Sequence, residues 1–194
     1  MGDSNILKKK LIITFTTIFI LIIISGVLGW ILTEQIENSE KIIEVVHSLK
    51  ESELQLRREE KNLLIRGYSQ QRYLRWQKAK ENFHQNLGEL IGRKALNEIE
   101  INTLKRDYTE MSDTYNKFFH EIRSNDLDRE EIIKYDEQFK EIGRGTLKMI
   151  NNILDREEKV SSRTNSQADI LLVIFVAIFV LTTGFLIVNV IKQL

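Results

Sequence analysis

Cysteine and proline are both absent from this 194-residue chain. Without thiols there are no disulfides and no thiolate metal sites, so any folded segment is held by packing alone. With no proline to punctuate it, the chain has only glycines and short polar stretches as helix breakers. Net charge is zero, with 28 basic and 28 acidic residues, which gives no electrostatic reason to expect nucleic acid as a partner. Histidine is scarce, occurring only at His47, His84 and His120. On helices His120 and His47 lie roughly 25 to 30 Å apart, too far to share a metal ion. No Ser/His/Asp or Cys/His grouping, phosphate-binding loop or metal-ligand spacing occurs, so neither an enzyme nor a cofactor is expected.

What the chain has in abundance is apolar length at its two ends. Leu11 to Thr33 and Ile170 to Ile191 are charge-free runs of 23 and 22 residues, and a helix needs roughly 20 to cross about 30 Å of hydrocarbon. Both runs are apolar all round, unlike the striped core helix of a soluble domain. Two membrane spans are therefore expected, at 11–33 and 170–191, leaving a short start at 1–10, a middle segment at 34–169 and a stub at 192–194. Lys8, Lys9 and Lys10 precede the first run and Lys192 follows the second, whereas the inner flanks carry Glu34, Glu37 and Asp169. The positive-inside bias places both termini in the cytoplasm and the middle segment outside, in a two-pass protein of the cell (inner or plasma) membrane. A cleaved signal peptide shares the basic-then-apolar pattern, but the length of the run and the lack of an A-x-A-like site favour an uncleaved anchor.

The middle segment is densely charged, with 27 acidic and 24 basic residues. It lacks the alternation and turn spacing of strands and shows seven-residue periodicity instead. Ile42, Leu49, Leu56 and Leu63 form one heptad column. A second stripe runs Tyr73, Trp76, Lys80, Phe83, Leu87 and Leu90, flawed at Lys80. A third runs Ile101, Leu104, Tyr108, Met111, Tyr115, Phe118 and Ile122. The last runs Ile132, Tyr135, Phe139, Ile142, Thr146, Met149, Ile153 and Val160. Four such stripes predict an all-α fold, an antiparallel up-down four-helix bundle between two transmembrane helices. Breaks are expected at Gly67 with Ser69, at Gly88 to Gly92, and at Ser124-Asn125-Asp126-Leu127-Asp128. Asp128 and Glu131 have the spacing of a capping box. The first extramembrane helix, at about 52 Å, outreaches the second, at about 35 Å. A pair of outer helices alone has little core, so a homodimer is expected to supply the missing helices.

This plan, with the segment Arg57-Arg58-Glu59-Glu60-Lys61-Asn62-Leu63-Leu64-Ile65-Arg66-Gly67, resembles the sensor half of methyl-accepting chemotaxis proteins. The segment is similar to the "EK-N/D-F-L-L-R-G" end of helix one in such sensor bundles, with Leu64 where another large apolar residue is frequent. Sensor histidine kinases of the same layout are close relatives. The resemblance implies a receptor that binds a small extracytoplasmic ligand and relays a helix displacement across the bilayer. In that family the second span feeds a HAMP relay module and a long output region, whereas the given residues end at Lys192-Gln193-Leu194. The chain thus reads as the sensor part of a larger receptor, with cytoplasmic signalling partners only if an output module follows. Its rival is a membrane-anchored helical scaffold, or receptor modulator, without an output module.

Lys61, Arg66, Arg72, Arg75, Lys78 and Lys80 follow one another with no acidic residue between them, interleaved with Tyr68, Tyr73 and Trp76. Guanidinium groups grip carboxylates in bidentate fashion and aromatic rings add a dry wall, so a small anionic ligand is the natural guest at this turn. The acidic residues Asp126, Asp128, Glu130 and Glu131 at the facing turn supply an alternative, ordinary surface charge compensation. The resemblance adds Arg57, Arg58 and Arg66, since aspartate-type receptors use helix-one arginines on a ligand carboxylate. The candidate set is Arg57, Arg58, Arg66, Arg72, Tyr73, Arg75 and Trp76. Glu53, Glu59 and Glu60 tend inward on helix one, and the expectation is that they snorkel to surface lysines. Tyr108, Tyr115, Phe118 and Phe119 are expected to fill the core. Small and hydroxylated residues in the spans, among them Ser25, Gly26 and Gly29, favour close helix contact.

Overall fold

The computed structural model describes residues 3–124 and 128–191. The turn residues Asn125, Asp126 and Leu127, and the basic residue Lys192 used for orientation, lie outside them. Four helices make up the fold: α1 (Asp3–Arg66), α2 (Gln70–Gly92), α3 (Glu98–Ser124) and α4 (Arg129–Ile191). No strand occurs among the described residues.

Each connection has a local chemical cause. α1 stops because Gly67 takes a positive φ of 71°, the left-handed conformation that ends helices and that glycine adopts without a Cβ penalty. Ser69 then caps α2, its hydroxyl accepting from the Arg72 backbone N–H at 3.2 Å. α3 and α4 begin with reciprocal capping boxes. Asn97 and Glu100 exchange backbone-to-side-chain bonds at 2.9 Å in both directions. Asp128 and Glu131 do the same at 3.0 and 2.8 Å. The chain runs through Gly88 without a break and α2 ends at Gly92.

The chain divides into two compact units, residues 40–158 and the pair of segments 1–39 and 159–194. The first is a four-helix bundle. Ser52 meets Asn86, Trp76 meets Tyr115, Phe83 meets Tyr108, and Glu121 meets Tyr135. Contacting residue numbers rise on one helix as they fall on its neighbour, as in Trp76–Tyr115 followed by Phe83–Tyr108, so consecutive helices run antiparallel. Arg57 against Gly143 closes the ring between α1 and α4. The heptad column Ile42, Leu49, Leu56 and Leu63 is buried throughout, and each such side chain contributes about 1.5 to 3 kcal/mol of hydrophobic stabilisation. Val160, expected to extend the fourth stripe, is exposed. It falls in the other unit, beyond the last turn of α4 that has bundle neighbours.

The second unit holds the apolar ends of α1 and α4. Both helices are long and apolar enough to cross a membrane, and none of the most apolar stretch in either is buried. Within it, Thr17, Thr33, Thr182 and Thr183 turn their hydroxyls back onto carbonyls three or four residues earlier, which satisfies polar groups without a partner helix. A cleft of about 540 Å³ between the two segments is lined by Ser25, Gly26, Gly29 and Leu32 on one side and Ala168 and Phe175 on the other.

Candidate functional site

The bundle core is two hydrophobic clusters. One centres on Leu49, Phe83, Leu90, Leu104, Ile150 and Ile153. The other centres on Leu56, Leu63, Trp76, Tyr115, Phe118 and Phe139. At the level where they meet, the heptads place ionisable groups. Glu53 and Arg57 stand on α1, Lys80 on α2 and Asp107 on α3, while α4 presents Gly143 and Thr146. Glu60 lies two turns along α1 from Glu53, beside Trp76 and Tyr115.

The carboxylates do not snorkel. Glu53 is 0 % exposed, Glu60 2 % and Glu59 7 %, which overturns the expectation that they reach surface lysines. Position on the helix decides this: Glu53 and Glu60 sit three residues before Leu56 and Leu63, on the stripe that faces the core. A glutamate stem is too short to carry its head out past the neighbouring helices. Glu59 keeps a partner in Asn62, whose Nδ2 donates to its Oε2 at 3.4 Å. Arg57 Nε lies 4.0 Å from Glu60 Oε2. Among the described residues, six buried polar atoms nevertheless lack a hydrogen-bond partner: both carboxylate oxygens of Glu53, Glu60 Oε1, Arg57 Nη1, Trp76 Nε1 and the Tyr115 hydroxyl. Each buried polar atom left this way costs on the order of 1 to 3 kcal/mol.

Burial sets the protonation of this layer. It pushes the Glu53 carboxyl up to about 7, with Arg57 pulling down and Asp107 adding to the rise. Burial likewise raises Glu60 to about 8, reinforced by the charge of Glu53 and opposed by Arg57 and by the nearby Trp76 indole. Tyr115 is also raised, first by burial and then by Glu60. The cause is the cost of holding a charge away from water without enough partners. Lys80, half-buried, donates to the Ser112 hydroxyl at 2.5 Å and lies 5.2 Å from the Trp76 ring. Burial lowers its pKa, while Asp113 opposes that shift.

Gly143 was not singled out in the sequence, and it shapes the layer. A Cβ there would lie 2.2 Å from Arg57 Nη1 and 2.7 Å from its Cδ and Cζ. The guanidinium is therefore seated on the bare backbone of α4. Gly145, two residues on and on another side of α4, lies next to Asp107, whose Oδ2 is 3.7 Å from where its Cβ would be. Asp107 is buried and takes the Arg106 guanidinium at 2.9 Å. It also lines a cleft of about 270 Å³ between α3 and α4, with Arg106, Glu110, Gln138, Glu141 and Gly145.

No protein-family model matches the chain, and neither does any curated protein or any solved structure. The likeness to chemoreceptor sensors thus rests on the plan of the chain and on the segment from Arg57 to Gly67. That segment has a plain structural reading: Glu59, Glu60, Leu63 and Leu64 face inward, Lys61, Ile65 and Arg66 face outward, and Gly67 ends the helix.

The expected anion-binding set is divided by the fold. Arg57 turns into the core layer. Trp76 is buried and stacks on Tyr115 with ring centroids 3.4 Å apart, and Tyr73 stacks on Phe119 at 4.1 Å. Arg72 donates from Nη1 to the carbonyl oxygens of Arg66 and Gly67 at 2.7 and 2.8 Å, closing the C-terminus of α1. Arg58, Arg66 and Arg75 are exposed. The core glutamates could have been weighted more heavily from the sequence, because their heptad positions mark them as inward; the matching glycine on α4 carries no such signal.

Proposed function

We propose that the protein is a transmembrane signal-transducing receptor, the sensor half of a chemoreceptor-like protein. Its bundle lies outside the cytoplasm and binds a small, anionic ligand, and a displacement between α1 and α4 passes the response through the membrane. The observation that carries this reading is that α1 and α4 are each a single helix shared by the bundle and by an apolar segment long enough to cross a membrane. Shifts of about 1 to 2 Å between packed helices suffice for a switch with two arrangements, and a ligand drives it by binding one arrangement better than the other. With Arg72 occupied by carbonyls and Arg57 turned into the core, Arg58, Arg66 and Arg75 are the exposed arginines left in the set, and Arg66 and Arg75 flank the α1–α2 turn. A homodimer completes the unit in this reading.

Because the native chain has no cysteine, single cysteines replacing Lys9 and Lys94 report sidedness without background. Lys94 should react with a membrane-impermeant maleimide on intact cells and Lys9 only after permeabilisation. Labelling of both on the same side removes the receptor reading. In a ligand screen on the full-length protein, Arg66→Gln with Arg75→Gln should weaken any carboxylate that binds; unchanged affinity moves the ligand site elsewhere.

A further inference from the structure

The bundle carries a charged layer that its packing does not satisfy, and the layer sits where the two hydrophobic clusters would otherwise fuse. Glu53 has no hydrogen-bond partner for either oxygen although it is fully buried; Arg57 keeps an unpartnered atom beside it, and Glu60, with Trp76 and Tyr115 next to it, keeps others two turns along. A group of this kind stabilises one protonation state of the core at the expense of the other. We propose that the Glu53–Arg57–Glu60 layer is a proton-operated latch: α1 packs against α4 in one arrangement while the two glutamates hold protons and in another once they release them.

The surrounding groups define how it works. On α1, Arg57 favours release, and the neighbouring Glu59 carboxyl is held by Asn62. α2 supplies the Trp76 indole N–H and Lys80, the latter turned to Ser112 and to the Trp76 and Tyr108 rings. α3 supplies Asp107, which opposes a charge on Glu53, along with its partner Arg106 and the neutral Tyr108 and Tyr115 hydroxyls. α4 supplies Gly143 and Thr146, neither of which titrates; the charged Glu141 and Arg144 of that stretch are exposed. One fixed cation, Arg57, therefore faces Glu53 and Glu60. It balances one carboxylate, and the second adds a like charge in a dry interior. When both protons leave, the two carboxylates of α1 compete for Arg57, whose guanidinium rests on Gly143 of α4 with no slack, so a shift of Arg57 toward them changes the α1–α4 contact. The protons go to bulk water, and the cleft lined by Asp107 gives solvent its approach to the layer between α3 and α4. The ionisation ranges of about 7 and about 8 put the change near neutrality. The latch belongs to the bundle alone and operates whichever side of the membrane the bundle occupies, so its failure and that of the receptor reading are separable.

The test uses the full-length protein in detergent or nanodiscs, with spin labels on cysteines replacing the exposed Gln55 of α1 and Arg144 of α4. The inter-label distance distribution is expected to change between pH 5.5 and pH 9 in the otherwise native chain. It should become independent of pH in Glu53→Gln/Glu60→Gln, whose uncharged amides mimic the protonated state. An unchanging distribution in the native chain overturns the latch, as does a change that survives in the double variant. If circular dichroism shows the double variant unfolded, the single variants decide. Glu53→Gln removes the charge that raises Glu60, so its transition must move to lower pH; a midpoint that stays where it was also overturns the proposal.

Discussion

At Gly143 a single missing Cβ decides what the core can hold. Alanine there meets the Arg57 guanidinium at 2.2 Å, so Gly143→Ala is expected to lower stability by about 1 to 3 kcal/mol, the usual cost of overpacking. Gly88 is the control: it is exposed in α2 with nothing within 4 Å of its added Cβ. Gly88→Ala should raise stability by about 0.5 to 1 kcal/mol, since alanine is the better helix former. Thermal unfolding of the detergent-solubilised protein checks both signs at once. The buried glutamates set a pH dependence of opposite sense to the usual salt-bridged carboxylate. The folded state keeps protons up to about 7 at Glu53 and about 8 at Glu60, whereas the unfolded chain loses them near the ordinary value of 4.5. Between these limits the folded state binds more protons, so stability falls as pH rises and levels off above the folded values. The melting temperature of the native protein should accordingly drop from pH 5 to pH 8.5, and Glu53→Gln/Glu60→Gln should flatten that slope. A melting temperature that climbs over the same range contradicts the burial of these groups.

The helices owe their limits to caps and their pairing to a few cross-links. Asp128→Ala removes the carboxylate that receives the Glu131 N–H, and about 1 kcal/mol of stability should go with it. Arg156 of α4 is the more consequential group. It reaches Glu100 Oε1 and the Ala95 carbonyl at 2.6 Å each, and Glu157 at 2.9 Å, so it ties the α2–α3 turn to α4. These are charge-assisted bonds in a half-buried site, and Arg156→Met should cost more than the cap, about 1.5 to 3 kcal/mol. Native-state hydrogen exchange should show the loss first at residues 95–101. Equal protection there in variant and native protein rules out this role.

The whole molecule is two units of contrasting surface. One buries Leu49, Leu56, Phe83 and Phe118 against each other; the other leaves Ile13, Phe19, Trp30, Val173 and Leu181 open over more than 60 % of their surface. So much exposed apolar surface marks a face meant for another phase, and the length and composition of the two helices fit a bilayer. The protein is therefore expected to stay in the membrane pellet after alkaline carbonate extraction and to dissolve only in detergent. Recovery in the carbonate supernatant removes the membrane assignment.

The pattern of apolar residues along the chain determined the all-α character, the four helices and most of the buried stripe, because a period near 3.5 is a local property and burial follows it directly. Gly67, Asp128 and Glu131 marked helix ends for the same reason: caps are made by residues three or four apart. Tertiary structure alone decided the fate of the polar positions. Whether Glu53 reaches water depends on how closely α2, α3 and α4 approach it. The seat for Arg57 depends on a glycine 86 positions later, and that Trp76, already on the second apolar stripe, stacks on a ring instead of lining an anion site depends on Tyr115 standing opposite it. Such pairings are set by helix register and by distances between helices, which no single stretch of sequence encodes.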